Sequence, residues 1–295
     1  MAVYGFSIFT VSTITSPSSE MKIYKFKDLT DEKKHAHFYQ IVLQNAVWCA
    51  RPDSLNDEEE FKFRLDYDPS PRTAGLLSEV VARYRTTNLL PPQLSASFVV
   101  QNRRLEAIAA SIIKDLVEEC RNTIGIASFS VTKTDDHLWA EYGGNGNGAC
   151  IEIEIPDKLI GSSYHRVRYV PEKVFHVDSF LESVLSRDKA FETYSNILLT
   201  KTRKKWSREE EIRFVSKRPE VNVIIDGHIT EITLGNHVPP HTIQQVEANI
   251  VDHCKANGIT IKKLLERANK LVESDAAIRR TVTCEAWGPR RSPAR

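Results

Sequence analysis

The residues best suited to chemistry are the charged ones in Trp206 to Arg213, whose sequence is WSREEEIR. If this segment is an extended strand, Glu209, Glu211 and Arg213 share one face, because side chains alternate along a strand. Several carboxylates on one face raise the cost of ionising all of them, so the pKa of one of them can rise. Such a glutamate can hydrogen-bond sugar hydroxyls or act as a base. The alternative is a solvated edge-strand face, neutralised by Arg213 and by the basic residues 201–205 (KTRKK).

Two further segments carry aromatic, basic and hydroxyl side chains at the spacing of a strand. In Tyr24-Lys25-Phe26, alternation puts the two rings on one face and Lys25 on the other. In Ser128-Phe129-Ser130, at the end of a predicted strand, both hydroxyls lie on the same side. These two segments and the glutamates are the candidate site residues.

Other chemistries lack their motifs. The chain has no HExxH, no CxxC pair and no GxSxG, which disfavours metal catalysis, a zinc site and an α/β-hydrolase. The glycine-rich GGNGNG at 143–148 has no strand directly before it and no GK[ST] after it, so it matches neither phosphate-binding fingerprint. We interpret it as a tight turn between a helix and a strand.

The elements that position these residues follow from hydrophobic periodicity. Predicted strands cover residues 22–26, 124–130, 149–155, 163–170, 212–216, 221–226 and 229–235, and predicted helices cover 31–45, 73–88, 103–121, 178–200, 241–256 and 261–273. Within 149–155, Ile151, Ile153 and Ile155 alternate with two glutamates, which predicts one buried and one wet face. Residues 51–61 (RPDSLNDEEEF) form a long loop that is a candidate pocket wall. This order of elements favours an α+β fold.

Composition narrows the class of protein. The chain has 295 residues, 41% of them hydrophobic, and a formal charge of +1, so the molecule as a whole lacks the positive field of general nucleic-acid binders. Five scattered cysteines fit a reducing compartment, and no apolar run approaches the roughly 20 residues of a membrane helix. We expect a cytoplasmic protein with no membrane contact. The predicted organisation is an N-terminal extension (1–20), a single domain (21–280) with a helical insert at about 71–121, and a flexible tail (281–295).

The candidate segments resemble a bacterial family of uncharacterised domains that is defined by five short motifs in a fixed order. The motifs are an aromatic-basic-aromatic first strand, Pro-x-x-Leu-Asn-Asp with a following Phe, a Ser-rich strand end, Leu-Trp-x-x-Tyr before a glycine, and Trp-x-x-Glu-x-Glu-x-Arg. The matching residues are Tyr24 to Phe26; Pro52, Leu55, Asn56, Asp57 and Phe61; Ser128 to Ser130; Leu138, Trp139, Tyr142 and Gly148; and Trp206, Glu209, Glu211 and Arg213. The resemblance covers about residues 21–235.

That family is in turn similar to the ADP-ribosyltransferase superfamily, which uses a basic first-strand residue, a Ser-x-Ser strand and a Glu-x-Glu element in this order. The resemblance implies a mixed or antiparallel split β-sheet with a helical insertion and C-terminal helices. It also implies NAD as a substrate, no metal, and catalytic roles for Glu211, on the nicotinamide ribose, and for Glu209, on an acceptor. The residues it assigns to the NAD pocket are Tyr24, Lys25, Asn56, Ser128, Ser130, Trp139 and Tyr142.

The implied reaction breaks the nicotinamide N-glycosidic bond and transfers ADP-ribose to a protein or nucleic acid, as a toxin or phage-defence effector would. Hydrolysis of NAD is a close alternative. A second reading is a nucleotide- or RNA-binding module in which Lys201, Arg203, Lys204, Lys205 and Arg208 contact phosphates and Trp139 or Trp206 stacks on a base. A third is a structural role, with the tryptophans in the core.

Overall fold

The structure, a computed structural model, describes residues 19–57, 59–66, 70–86, 104–202 and 207–264. Its helices are α1 (Glu32–Gln44), α2 (Pro71–Thr86), α3 (Arg104–Thr123), α4 (Asp136–Glu141), α5 (Val177–Leu185), α6 (Arg187–Leu198) and α7 (Pro240–Ala256). Its strands are β1 (Glu20–Asp28), β2 (Ala46–Cys49), β3 (Arg64–Asp66), β4 (Gly125–Ser130), β5 (Gly148–Pro156), β6 (Tyr164–Arg166), β7 (Arg168–Val170), β8 (Val174–His176), β9 (Thr200–Thr202), β10 (Glu211–Ser216), β11 (Val221–Ile224), β12 (His228–Leu234) and β13 (Thr260–Lys263).

The main sheet has seven strands in the order β13-β12-β5-β1-β4-β10-β6. Its neighbours are antiparallel except for β12 and β13, which are parallel, so the sheet is mixed. Short two-stranded pairs, β11-β2, β3-β8 and β7-β9, lie outside it. The predicted α+β class and mixed sheet are confirmed.

The sheet opens between β1 and β4. Strand β1 pairs with β5 along its whole length, from Glu20 opposite Pro156 to Asp28 opposite Gly148. With β4 it pairs at one position, Tyr24 opposite Ser130. Beyond that pair the strands separate, and the backbone of Ala50 occupies the free edge of β4 through two 2.8 Å hydrogen bonds with Ile126. The separation creates a cleft whose sides are the edges of two strands.

A large apolar core fixes one face of the sheet. Ile151, Ile153 and Ile155 of β5 are fully buried, as their alternation predicts, and they pack with residues of α1 and α7. The predicted wet face of β5 is wrong for Glu152, which is buried between Lys22 (2.6 Å) and Lys133 (2.7 Å). The two lysines compensate the charge of this carboxylate and allow it to be buried. Strand alternation does not predict such pairing, because it depends on residues of other segments.

The predicted helices at 73–88 and 103–121 are present as α2 and α3. Leu77 of α2 and Cys120 of α3 share a second core cluster with Phe180 and Leu181 of α5 and with Ile126 of β4. The helical insert therefore packs directly on the sheet, on the side of the cleft.

The C-terminal prediction is partly wrong. After α7 the chain forms β13, parallel to β12, where a helix at 261–273 was expected. Gly258, with a φ of +68°, ends the helix, and the chain then buries Ile259 and Ile261, which alternate as in a strand. Residues 265–273 of the expected helix, the predicted tail at 281–295 and residues 1–18 of the extension lie outside the described residues.

Two predicted elements are each divided in two. The strand expected at 163–170 is β6 and β7, which pair with different partners, β10 and β9. The helix expected at 178–200 is α5 and α6, broken at Ser186, whose backbone is extended (φ −140°, ψ 130°). Within the described ranges, no helix combines the length and apolar character needed to cross a membrane.

Candidate active site

A cavity of about 340 Å³ lies at the cleft between β1 and β4. The loop after β2 forms one wall, as predicted for residues 51–61, and α4 contributes to another. Its lining comprises residues 24–27, His37, Trp48, Ala50, residues 54–57, Ile126, residues 128–130, Leu138, Tyr142, Lys201, Glu209, Glu211 and Arg213. The lining thus brings together segments from the first strand to the tenth.

Strand register aligns the three predicted segments. Tyr24 of β1 lies opposite Ser130 of β4, and Ser130 lies opposite Glu211 of β10 on its other side. Residues directly opposite each other in neighbouring strands project to the same face, with Cβ atoms about 4.5–5.5 Å apart. The aromatic, hydroxyl and carboxylate side chains are therefore adjacent at the point where the two strands begin to separate.

The segment before Arg213 is not one strand, which corrects the expectation for residues 206–213. Residues Ser207–Glu209 form a 3-10 turn, Glu210 has a φ of +43°, and β10 begins at Glu211. The Ser130 hydroxyl donates to the Glu209 carbonyl (2.7 Å) and holds the turn against the end of β4. Trp206 lies outside the described residues.

The alternative of a wet edge strand is also wrong. Strand β10 lies between β4 and β6. The exposed fractions of Glu209, Glu211 and Arg213 are 3%, 6% and 0%. These charges are inside the protein and must be compensated there, because burying an unpaired charge is very unfavourable.

Compensation comes from a buried ion cluster, defined here as Glu60, Lys201, Glu209, Glu211 and Arg213. Arg213 Nε donates to Glu211 Oε1 (2.8 Å), and its terminal nitrogens donate to both Glu60 oxygens. Lys201 Nζ lies 2.8 Å from Glu211 Oε2 and 3.2 Å from Glu209 Oε2. The two glutamates of the Glu-x-Glu element thus share one lysine.

Glu211 is held in its ionised form. Burial acts to raise its pKa, but the charges of Arg213 and Lys201 outweigh burial and lower the pKa to about 2. The expectation of a raised glutamate pKa is therefore wrong for Glu211, because cations surround it more closely than carboxylates do. At neutral pH this side chain is a fixed anion and a hydrogen-bond acceptor.

Glu211 makes the stability of the protein depend on acid pH. Its folded pKa of about 2 is below the ordinary value of 4.5, so the unfolded chain binds the proton more readily. The contribution is complete above pH 4.5 and is lost as the pH falls towards 2; it amounts to roughly 3 kcal/mol. We expect urea unfolding between pH 6 and 2.5 to show a steeper loss of unfolding free energy in the wild type than in Glu211→Gln. Equal slopes would contradict the ion-pair assignment.

A basic wall faces the same cavity. Lys25 Nζ donates to the Ser128 carbonyl (2.6 Å), and burial, assisted by the charge of Lys27, lowers its pKa to about 7. Burial also lowers the pKa of Lys27, and burial together with both lysines lowers that of His37. Among the described residues, none of the three forms an ion pair. Burial therefore favours the uncharged forms of these groups, and an anionic ligand at the wall would favour their protonated forms.

Several lining residues were not predicted. Trp48, 38% exposed, projects from β2 between the buried Val47 and Cys49, and its ring centroid lies 6.3 Å from that of His37. All four residues of β2 (AVWC) are apolar, so the sequence carries no signal for this orientation. Asp57 was part of a recognised motif but was not assigned to the site, whereas its neighbour Asn56 was assigned and lines the cavity.

Tyr142 and Trp139, both assigned to the NAD pocket, have different positions. Tyr142 lines the cavity, and its hydroxyl donates to Glu209 Oε1 (2.7 Å). Trp139 is buried behind the wall, in edge contact with Phe26 (5.2 Å between centroids), and its Nε1 donates to the Lys133 carbonyl (3.0 Å). The tryptophan supports the wall rather than lining it.

The nucleotide- or RNA-binding reading loses two of its expected contacts. Lys201 is buried in the ion cluster and is not a surface phosphate ligand, and Trp139 is not exposed for stacking. Arg208 is exposed, and residues 203–206 lie outside the described part of the chain.

The glycine-rich segment is a turn, as interpreted from the sequence. Residues Gly144–Gly146 form a 3-10 turn that is not part of the cavity lining. A Cβ on Gly148 would lie 2.2 Å from the Lys27 carbonyl, so glycine allows β5 to approach the cavity strand closely.

Among the described residues, one group of side chains lies close enough together to coordinate a metal ion: Glu20, Glu154 and His228. It lies outside the cavity lining, and Glu154 is already paired with Lys22 (3.3 Å) and His228 (3.0 Å).

Comparison of this chain with protein-family models, curated proteins and solved structures gives no match. Its function must therefore be argued from the site.

Proposed function

We propose that the chain binds NAD in this cavity, breaks the bond between nicotinamide and its ribose, and transfers ADP-ribose to a macromolecule. The observation that carries the proposal is the alignment of Tyr24, Ser130 and Glu211 across three neighbouring strands at the point where the cleft begins. An aromatic face, a hydroxyl and a fixed carboxylate suit a pyridine ring attached to a sugar.

The size and charge of the cavity support this ligand. Ligand pockets usually measure about 300–1,000 Å³, and this one, at about 340 Å³, suits a nicotinamide riboside half rather than a whole dinucleotide. The pyrophosphate would then meet Lys25, Lys27 and His37. The exposed ring of Trp48 offers a surface for the adenine, since every base has a face that stacks on an aromatic side chain.

Glu211 would promote cleavage electrostatically. When the bond between the ribose C1′ and the nicotinamide nitrogen breaks, its electron pair leaves with nicotinamide and positive charge develops on the ribose. A preorganised carboxylate in a dry site stabilises that charge at little reorganisation cost. The low pKa of Glu211, about 2, keeps the anion present at neutral pH.

Glu209 would position the acceptor. Its two oxygens are already occupied, one by the Tyr142 hydroxyl and one by Lys201, so orienting a nucleophile fits it better than taking a proton. The acceptor forms the new bond to C1′ and releases a proton to solvent. With water as acceptor the same site would hydrolyse NAD, so transfer and hydrolysis differ only in the nucleophile.

Incubation of the purified protein with NAD labelled in its adenosine half tests the proposal. We expect release of nicotinamide and, in the presence of a cell lysate, label in the protein or nucleic-acid fraction. Nicotinamide release with only free ADP-ribose would indicate hydrolysis. No release with or without lysate would reject the enzymatic proposal, and salt-sensitive oligonucleotide binding in its place would favour the binding module.

A further inference from the structure

Asp57 has a buried oxygen with an unused hydrogen-bonding capacity. Its exposed fraction is 7%, and it lines the cavity. Its Oδ1 accepts from the backbone nitrogen of Glu59 (3.0 Å), whereas Oδ2 has no hydrogen-bond partner. Most buried polar atoms are hydrogen-bonded, and leaving a buried acceptor without a donor is unfavourable. A ligand that brings a donor to Oδ2 would recover that energy.

The surroundings of Asp57 connect it to the ion cluster. Lys173 is buried, donates to the Glu60 carbonyl (2.8 Å), and acts electrostatically on both Glu60 and Asp57. Glu60 pairs with Arg213, and Arg213 pairs with Glu211. Through this series of contacts, Asp57 is linked to the part of the cavity where the proposed reaction would occur. The donor it meets therefore belongs to the reacting half of the ligand.

We propose that Asp57 Oδ2 accepts a hydrogen bond from the carboxamide NH₂ of nicotinamide and so selects NAD over its acid analogue. The inference rests on the proposed function and names the group that determines its substrate class. The family resemblance assigns the nicotinamide ribose to Glu211, and the amide is then the remaining donor of the nicotinamide riboside half. In the acid analogue, which has a carboxylate in place of the amide, two carboxylates would face each other.

The expected discrimination is large. A site that hydrogen-bonds a substrate NH rejects an analogue without it by about 10⁴–10⁵-fold, because its buried polar group is left unpaired. We expect the wild type to prefer NAD over nicotinic acid adenine dinucleotide by at least about 10³-fold in kcat/KM.

Asp57→Asn separates recognition from folding. Asparagine keeps the Oδ1 acceptor for the backbone nitrogen of Glu59, and its NH₂ can donate to the carboxylate of the acid analogue. The preference for NAD should therefore fall by about 100-fold or more, mainly because kcat/KM for the acid analogue rises. The matched control is Asp53→Asn, the same change on the same loop at an exposed residue that does not line the cavity. The control should keep the wild-type preference.

Calorimetric binding of the two dinucleotides distinguishes failure of this inference from failure of the proposed function. If no nicotinamide is released but Asp57→Asn shifts the binding preference towards the acid, the Asp57 assignment stands and the enzymatic proposal fails.

Turnover with an unchanged preference in Asp57→Asn overturns the assignment. The assignment is also overturned if the wild type binds and turns over NAD and its acid analogue about equally well. Adenine also carries an amino group that could donate to Asp57, and hypoxanthine lacks it. If Asp57→Asn changes the binding of a dinucleotide with hypoxanthine in place of adenine but does not change the preference between the amide and the acid, Asp57 contacts the adenine and the assignment is overturned.

Discussion

Glu211→Gln should lower kcat for nicotinamide release by about 10²- to 10³-fold, the loss seen when one preorganised stabilising group is removed. Glutamine keeps the shape and the hydrogen-bonding oxygen but removes the negative charge. Because the charge matters only as the ribose becomes positive, we expect the Kd for NAD to change by no more than a few-fold. Nicotinamide release under single-turnover conditions, together with calorimetric NAD binding, measures the two quantities separately.

The variant should remain folded, because the charges of the ion cluster balance without Glu211. Arg213 still pairs with Glu60, and Lys201 still pairs with Glu209. The matched control is Glu231→Gln on β12. Glu231 is also buried and also paired with two lysines, Lys133 (2.9 Å) and Lys262, but it does not line the cavity. Equal rates in the two variants would remove Glu211 from the reaction.

The strands that carry the site could be predicted because their patterns are local. The isoleucines of β5 alternate strictly, and the motifs on β1 and on β4 each consist of adjacent residues. Such patterns give the direction of each side chain. They do not give the distance between strands, so the patterns alone do not predict the cleft beside Tyr24 and Ser130; a split sheet was expected only from the family resemblance.

The place of Glu60 in the ion cluster could not be predicted, since Glu60 is distant in sequence from the other members, whereas Arg213 and the basic segment that contains Lys201 were expected to neutralise the glutamates. Glu60 and Arg213 are 153 residues apart, and neither position suggests the other. The conformation of Glu210 was missed for a different reason. A φ of +43° is uncommon for glutamate, and the contact that holds the turn comes from Ser130 on another strand. The wrong expectation for the pKa of Glu211 follows from the same missing contacts.

The sequence of strand β13 predicts a helix because a short apolar run fits both the period of a helix and the period of a strand. TIKKLLERANKL reads as an amphipathic helix, but Ile259 and Ile261 are buried beside β12. Tertiary pairing decides such cases. The orientation of Trp48 could not be predicted either, because all four residues of β2 are apolar and their order does not show which side chain faces the cavity.

Arg213→Met is expected to reduce the free energy of unfolding by about 3–5 kcal/mol, the usual cost of removing one partner from a buried ion pair. Arg213 is fully buried and pairs with both Glu60 and Glu211. Without it, Lys201 is the one cation of the ion cluster left for three carboxylates. Urea unfolding measures the loss. The control is Arg64→Met, which breaks an exposed pair with Glu172 and should cost less than about 1 kcal/mol.

The double variant Arg213→Met/Glu60→Leu identifies the cause of that loss. If the cost comes from uncompensated charge, removing Glu60 as well returns the ion cluster to its original excess of one carboxylate, and part of the stability should return. Replacement of a whole buried ion pair by apolar side chains is often neutral or stabilising. If the cost comes from the shape of Arg213, the second substitution should add to the first. A double variant less stable than Arg213→Met would therefore show that uncompensated charge is not the cause of the loss, and that Arg213 acts by filling space.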